Sequence, residues 1–178
     1  VVKTAFKNVD VIPTTMDLAG AEIELISVSS RENALKNSLS TIRDNYDFIF
    51  IDCPPSLGLI TINSLNASDT VLVPIQCEYF ALEGLSQLMA SVRQVKRLYN
   101  PTLELEGVVL TMYDGRLNLT HQVVNEIKKF FAGKLFASAI PRSVRLSEAP
   151  SFGMPIQYYD KRGKGAVAYD KLAEEFLK

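Results

Sequence analysis

Phe48-Ile49-Phe50-Ile51 is a run of four apolar residues that closes in a carboxylate, Asp52, and then, after Cys53, in the pair Pro54-Pro55. A short unbroken apolar run reads as a strand buried on both faces, the pattern of a parallel sheet. Proline donates no ladder hydrogen bond, so the strand is expected to stop at Pro54. Asp52 then stands at the carboxyl end of an interior strand, the end that faces the ligand crevice in open α/β sheets. A carboxylate there needs a partner, and a hydrated metal ion is a natural one. This is the chemistry of a Walker-B aspartate, which helps hold the magnesium of a bound nucleotide. The plainer alternative is a strand-end Asp that caps the next turn.

Strand and helix signals alternate along the rest of the chain. Residues 8–12, 70–75, 105–112 and 135–140 read as strands, several of them β-branched and apolar throughout. Residues 17–28, 30–43, 57–66, 80–99, 117–131 and 165–177 read as helices, with a brief one at 144–149. In the longest, Leu82, Leu85, Leu88, Met89, Val92, Val95 and Leu98 recur at helical spacing. Ser30 is the expected N-cap of the second helix and Gly133 the expected C-cap of the fifth. Such alternation predicts an α/β fold with a doubly wound, mostly parallel sheet and helices on both faces. With no repeat or linker, a single domain over residues 1–178 is the simplest organisation.

Bulk properties exclude little. Hydrophobic content of 47% with 22% charged residues is ordinary for a globular protein. No apolar run approaches the roughly 20 residues that span a bilayer, and no secretory signal opens the chain. Cys53 and Cys77 lack metal-ligand spacing and read as small buried hydrophobes beside strand ends, in a reduced cytosolic setting. His121, the single histidine, reads as a surface helix residue, and Tyr158-Tyr159 as packing. The net charge of −1 is uneven: residues 1–90 hold 5 Lys and Arg against 11 Asp and Glu, residues 91–178 hold 14 against 9. A basic half suits a polyanion, although scattered solvated charge gives the same count. The start at Val1 reads as that of a fragment.

Five stretches together name a family: 46–58, 73–85, 107–112, 140–151 and 159–166. They resemble the ParA/Soj partitioning ATPases, deviant-Walker P-loop proteins of the MinD/ParA superfamily that segregate bacterial chromosomes and plasmids. The likeness covers essentially the whole chain. It implies a P-loop NTPase-like fold, ATP hydrolysis, ATP/ADP and Mg2+ as cofactors, and a homodimer formed on ATP binding. It also implies non-specific binding of double-stranded DNA, a ParB/Spo0J-type centromere-binding partner, a cytoplasmic, nucleoid-associated location and no membrane. Members open with a strand, a Gly-rich Lys-Gly-Gly-x-Gly-Lys-Thr-Thr loop and a first switch. No G-x-x-x-x-G-K-S/T occurs here: Gly133-Lys134 is followed by Leu135, and Gly163-Lys164 by Gly165. The chain is therefore expected to lack the Walker A and switch I portion, and not to hydrolyse ATP alone.

The resemblance also implies roles. Asp52 corresponds to the Walker-B residue, reaching magnesium through water, and Pro54, Pro55, Ser56 and Gly58 to the second switch. Thr111, Met112, Pro141, Arg142 and Ser143 correspond to the region that cups adenine, with Ser143 where relatives often carry Asn. Arg116, Arg145 and Lys164, from a basic half that also holds Lys161 and Arg162, correspond to DNA phosphate contacts. Two alternatives stand beside this reading. One is a MinD-like membrane-associated ATPase, against which residues 166–178 present a polar face of mixed sign, with Lys171, Glu174, Glu175 and Lys178. The other is a non-catalytic interaction module.

Overall fold

The computed structural model of the chain describes every residue except Pro55 and Leu57, and every side chain in helices and strands except that of Ala19. Two units emerge: residues 1–68 with 95–101, and residues 69–94 with 102–178.

In the first unit β1 (Val2–Lys3) and β2 (Asp10–Val11) pair antiparallel, Val2 opposite Val11 and Lys3 opposite Asp10. The strand expected at 8–12 is thus only two residues long. Asp10 Oδ2 takes the Lys3 ammonium at 2.6 Å and the Tyr46 hydroxyl at 2.8 Å. Then follow α1 (Leu18–Glu24), α2 (Ala34–Ser40) and α3 (Leu59–Ala67), with 3-10 turns at Leu25–Ser27, Arg31–Asn33 and Arg43–Asn45. Ser30 does not cap: it is left-handed at φ 55° and its side chain makes no cap bond. Instead, buried amides of α3 tie the preceding turns down. Asn63 accepts the N–H of Leu35 at 3.1 Å and donates to the carbonyls of Arg31 and Leu59, both at 3.0 Å. Asn66 donates to Glu32 O at 2.8 Å and Asn33 Oδ1 at 2.9 Å. Asn100 donates to the carbonyls of Leu65, in the last turn of α3, and of Ser68, just past its end. Buried backbone groups of irregular turns must find partners, and here side-chain amides supply them.

The run 48–52 departs from expectation. It belongs to no strand, and Phe48 and Phe50 are 54% and 72% exposed, their rings stacked at 6.4 Å. Asp52 and Cys53 are exposed too, so Cys53 is not the buried hydrophobe expected of it. An apolar run becomes a strand only beside an edge that offers ladder groups. The described strands of this unit are the two residue pairs of β1 and β2, and these bond to each other.

The second unit holds the expected parallel sheet. β3 (Thr70–Gln76), β4 (Glu104–Tyr113) and β5 (Leu135–Pro141) lie in that order, all parallel. Between them run α4 (Ala81–Leu98), which holds residues of both units, and α5 (Asn118–Phe130). After β5 come α6 (Val144–Glu148), α7 (Ile156–Tyr159) and α8 (Lys164–Phe176). Strand residues alternate between faces. Val108 and Leu110 therefore pack with Val73, Ile75, Leu85, Val123 and Ile127, under α4 and α5. Val109 turns the other way, onto Ile140 and Leu172 of α8. This double burial is what continuous apolar strands require. The C-cap of α5 is Phe131, whose N–H bonds the Ile127 carbonyl, and not Gly133, which lies two residues on in the following turn at φ 76°. Cys77 is buried, and burial pushes its thiol up.

Candidate functional site at the carboxyl edge of the parallel sheet

Because β3, β4 and β5 are parallel, their carboxyl ends share one edge. Gln76 stands opposite Thr111, and Tyr113 opposite Pro141. The N–H of Arg142 donates to the Tyr113 carbonyl at 3.3 Å. The structure thus brings the end of β4, residues 111–113, and the segment 141–143 together. Met112 is the irregular point. It has φ 53°, lies within a register shift of β4, and its side chain is 42% exposed. A non-glycine residue in the left-handed region costs energy and is held there by its surroundings. Ser143 precedes α6 in extended conformation and makes no side-chain cap bond, while Arg142 is exposed.

Around this edge the basic residues are ordered by carboxylates. Asp114 follows β4 directly. Its Oδ1 accepts the Arg116 Nε–H at 2.9 Å and the Arg116 backbone N–H at 3.1 Å, and its Oδ2 accepts Nη2 at 2.6 Å. The Arg116 guanidinium and backbone hold the Asp114 carboxyl well below the usual carboxylate range, and the charge of Lys164 adds to this. Lys164, the first residue of α8, is exposed and electrostatically in reach of the same loop. His121 Nε2 bonds the Gly115 carbonyl at 2.9 Å, fixing the loop from α5. Arg145 of α6 donates to Glu148 Oε2 at 3.1 Å. That oxygen also accepts the Tyr159 hydroxyl at 3.0 Å, and the Arg145 guanidinium lies 5.9 Å from the Tyr159 ring centroid. Tyr159 and then Glu148 raise the Arg145 guanidinium. Helix α8 sits close: a Cβ on Gly165 would come within 2.7 Å of Leu146 Cγ.

The residues expected to form the second switch, and Asp52, belong to the first unit. Ser56 accepts a 2.6 Å bond from the Thr61 hydroxyl, tying it to α3. Gly58 is the residue before α3, with ordinary φ −79°, and a side chain there would run into the Glu22 carboxylate, which accepts the Ile60 N–H at 3.3 Å. Pro54 and Asp52 are exposed. Pro55 lies outside the described residues.

Sequence reasoning missed Asp114 and Glu148, and treated Tyr159 as packing alone. The signals were present. An Asp two residues before an Arg forms an Asx-type turn, and a Glu three residues after an Arg shares its helix face.

The residues of the edge fit one part of a nucleotide. Met112 and Pro141 offer adaptable apolar surface and the turns offer backbone groups, which suits a base. Among the described residues no group of three or more His, Cys, Asp and Glu could hold a metal ion. Nucleotide-bound Mg2+ takes one or two carboxylates and the phosphates, so Asp52 fits it only with phosphates in place.

Comparison with known proteins decides the family. Residues 1–105 match the AAA domain family. The chain is 58% identical over 172 residues to the sporulation initiation inhibitor protein Soj of Bacillus subtilis, covering 97% of this chain and 68% of that protein. The chromosome partitioning protein ParA of Myxococcus xanthus is 50% identical over 175 residues, covering 98% and 62%.

The chain belongs to the ParA/Soj family of chromosome-partitioning ATPases.

The fold agrees with membership. Cobyrinic acid a,c-diamide synthase from Mycobacterium smegmatis, solved with bound ADP and magnesium, superposes with TM-score 0.77 at 35% identity, over 93% of this chain and 60% of that one. The chain thus spans about two thirds of the length of its ParA/Soj relatives.

Proposed function

We propose that this chain is the C-terminal part of a ParA/Soj-type ATPase that serves as an ATP-dependent dimerisation and non-specific DNA-binding switch in chromosome or plasmid segregation. One observation carries the reading. At the carboxyl edge of the parallel sheet Tyr113 pairs with Pro141, and the loop that follows Tyr113 holds Arg116, with the charge of Lys164 in electrostatic reach. Nucleotide state at that edge and DNA affinity are then properties of one surface. Thr111, Met112, Pro141, Arg142 and Ser143 receive the base. Asp52 serves magnesium through water, and Pro54, Pro55, Ser56 and Gly58 form the second switch. A ParB/Spo0J-type centromere-binding partner stimulates hydrolysis, and the protein works in the cytoplasm on the nucleoid. The Gly-rich phosphate loop is absent from this sequence, so these 178 residues alone do not hydrolyse ATP.

The packing of α8 supports DNA over a membrane as the target. Its residues Ala166 and Leu172 are buried, and Leu172 packs on Val109 and Ile140. An interfacial anchor needs that apolar face for lipid. Among the described residues no helix is long and apolar enough to cross a membrane.

The test measures duplex DNA binding by the full-length protein with ATP, with ADP and without nucleotide. Tight binding with ATP alone is expected. Equal binding in all three states would contradict the switch.

A further inference from the structure

The loop after β4 contains a second device, which rests on the DNA reading above. We propose that Asp114 is a positioning residue: it presents the outer edge of the Arg116 guanidinium to a nucleic-acid phosphate.

The geometry is a two-point fork. Asp114 Oδ1 and Oδ2 take Nε–H and Nη2–H of Arg116 at 2.9 and 2.6 Å. A guanidinium has five N–H donors in one plane, and the fork uses two, leaving three on the side away from the carboxylate. The Arg116 side chain is 89% exposed, so that side faces solvent. An arginine at this exposure ordinarily samples many rotamers, and ordering it on binding costs affinity. Here the ordering is already done. The same Oδ1 also accepts the Arg116 backbone N–H at 3.1 Å, and His121 holds the carbonyl of the intervening Gly115 at 2.9 Å. Backbone and side chain of the turn are therefore fixed together, at the end of a central strand of the sheet.

The alternative is that Asp114 is a brake, a negative charge that competes with phosphate for Arg116. The donor arithmetic and the neighbouring Lys164 argue against it. The carboxylate leaves most of the guanidinium donors available, and Asp114, Arg116 and Lys164 together keep one positive charge.

The two ideas differ in sign, and a charge-matched pair of variants separates them. Asp114→Asn and Asp114→Ala remove the same charge, but Asn retains an Oδ1 acceptor for the turn and for Nε. Binding of a mixed-sequence duplex by the full-length protein with ATP is measured across a salt series. Asp114→Ala is expected to bind roughly two- to tenfold more weakly than Asp114→Asn, the cost of immobilising one long side chain. In an Arg116→Ala background that difference is expected to vanish. Arg116→Lys, which keeps the charge but cannot form the fork, is expected to weaken binding without help from any change at 114, so a folding defect in Asp114→Ala does not stall the test. Equal affinities for the Asn and Ala variants, or Arg116→Lys binding like the parent, overturn the positioning role. If Arg116→Ala leaves affinity and salt slope untouched, the DNA contact at Arg116 fails as well, and the inference falls with it.

Discussion

The Glu175 carboxylate of α8 accepts the backbone N–H of Ala137 at 2.6 Å through Oε1, and that of Ser138 at 2.9 Å through Oε2. β5 is the last strand in the order β3-β4-β5, and both residues lie where it slips register against β4, between the pairs Val108–Leu135 and Leu110–Ala139, which leaves their N–H groups outside the ladder. Unpaired edge donors invite pairing with other chains, and proteins cover or charge them. Here one side chain, 38 residues away in sequence, does so.

The pH dependence of this contact has a definite sign. Burial opposes ionisation of Glu175, but the N–H groups of Ala137 and Ser138 outweigh it and hold the carboxyl below its ordinary value. A depressed carboxyl stabilises the fold above the unfolded-state pKa, about 4.3 for Glu, and the contribution fades as pH falls through the lower folded value. Glu175→Gln is expected to lose about 1 kcal/mol at pH 7, after allowance for solvent screening. Urea unfolding of parent and variant at pH 7 and at pH 3 checks this, with the gap expected to close at the acid end.

Gly107 in β4 has no room for a side chain. A Cβ there would lie 2.5 Å from the Phe136 ring of β5 and 2.7 Å from the carbonyl of Lys134, the residue before that strand. The ring can tilt, whereas the carbonyl already accepts the Val108 N–H at 2.7 Å. Gly107→Ala is expected to destabilise by about 1–3 kcal/mol, the range for overpacking, read as a lower thermal midpoint. A midpoint equal to the parent's would show that β4 and β5 separate freely.

Asn63 is 4% exposed and satisfies one donor and two acceptors of the surrounding backbone. Asn63→Ala leaves them buried without their partner, at about 1–3 kcal/mol. Asn63→Asp is expected to cost more, because its second oxygen faces the Arg31 and Leu59 carbonyls. Denaturant midpoints should fall in the order parent, Ala, Asp. The reverse order of the two variants would mean that the amide donor is not what holds the turn.

Asp52 tests the magnesium proposal directly. In the full-length protein Asp52→Ala is expected to lower ATP hydrolysis roughly 10- to 100-fold, the effect typical of a group that acts on a metal through an intermediate ligand. Hydrolysis rates across a magnesium titration provide the measurement. An unchanged rate and magnesium midpoint would remove Asp52 from the site.

Legibility differed from place to place for physical reasons. β3, β4 and β5 were readable because each carries enough apolar surface to be buried on both faces, and each finds the next strand across a single helix. Their carboxyl ends then had to meet, so Thr111-Met112 and Pro141-Arg142-Ser143 could be placed at one edge from strand boundaries alone. The run 48–52 carries an equally strong burial signal, yet it forms no strand among the described residues. A side-chain pattern states a preference for burial; a strand also needs backbone partners that the pattern does not encode. Ser30 failed as a cap for a related reason. Its turn is held by Asn63 and Asn66 from a helix some thirty residues on.

What the sequence by itself determined is the α/β alternation, the parallel character of the sheet and membership in a family of partitioning ATPases, because all three rest on local periodicity and contiguous motifs. Only the tertiary structure decided that Tyr159 joins the Arg145–Glu148 pair and that Glu175 closes on Ala137 and Ser138 of β5. Composition supplies the charges, but which distant groups meet, such as Glu175 and the Ala137 N–H, is set by how helices and strands stack.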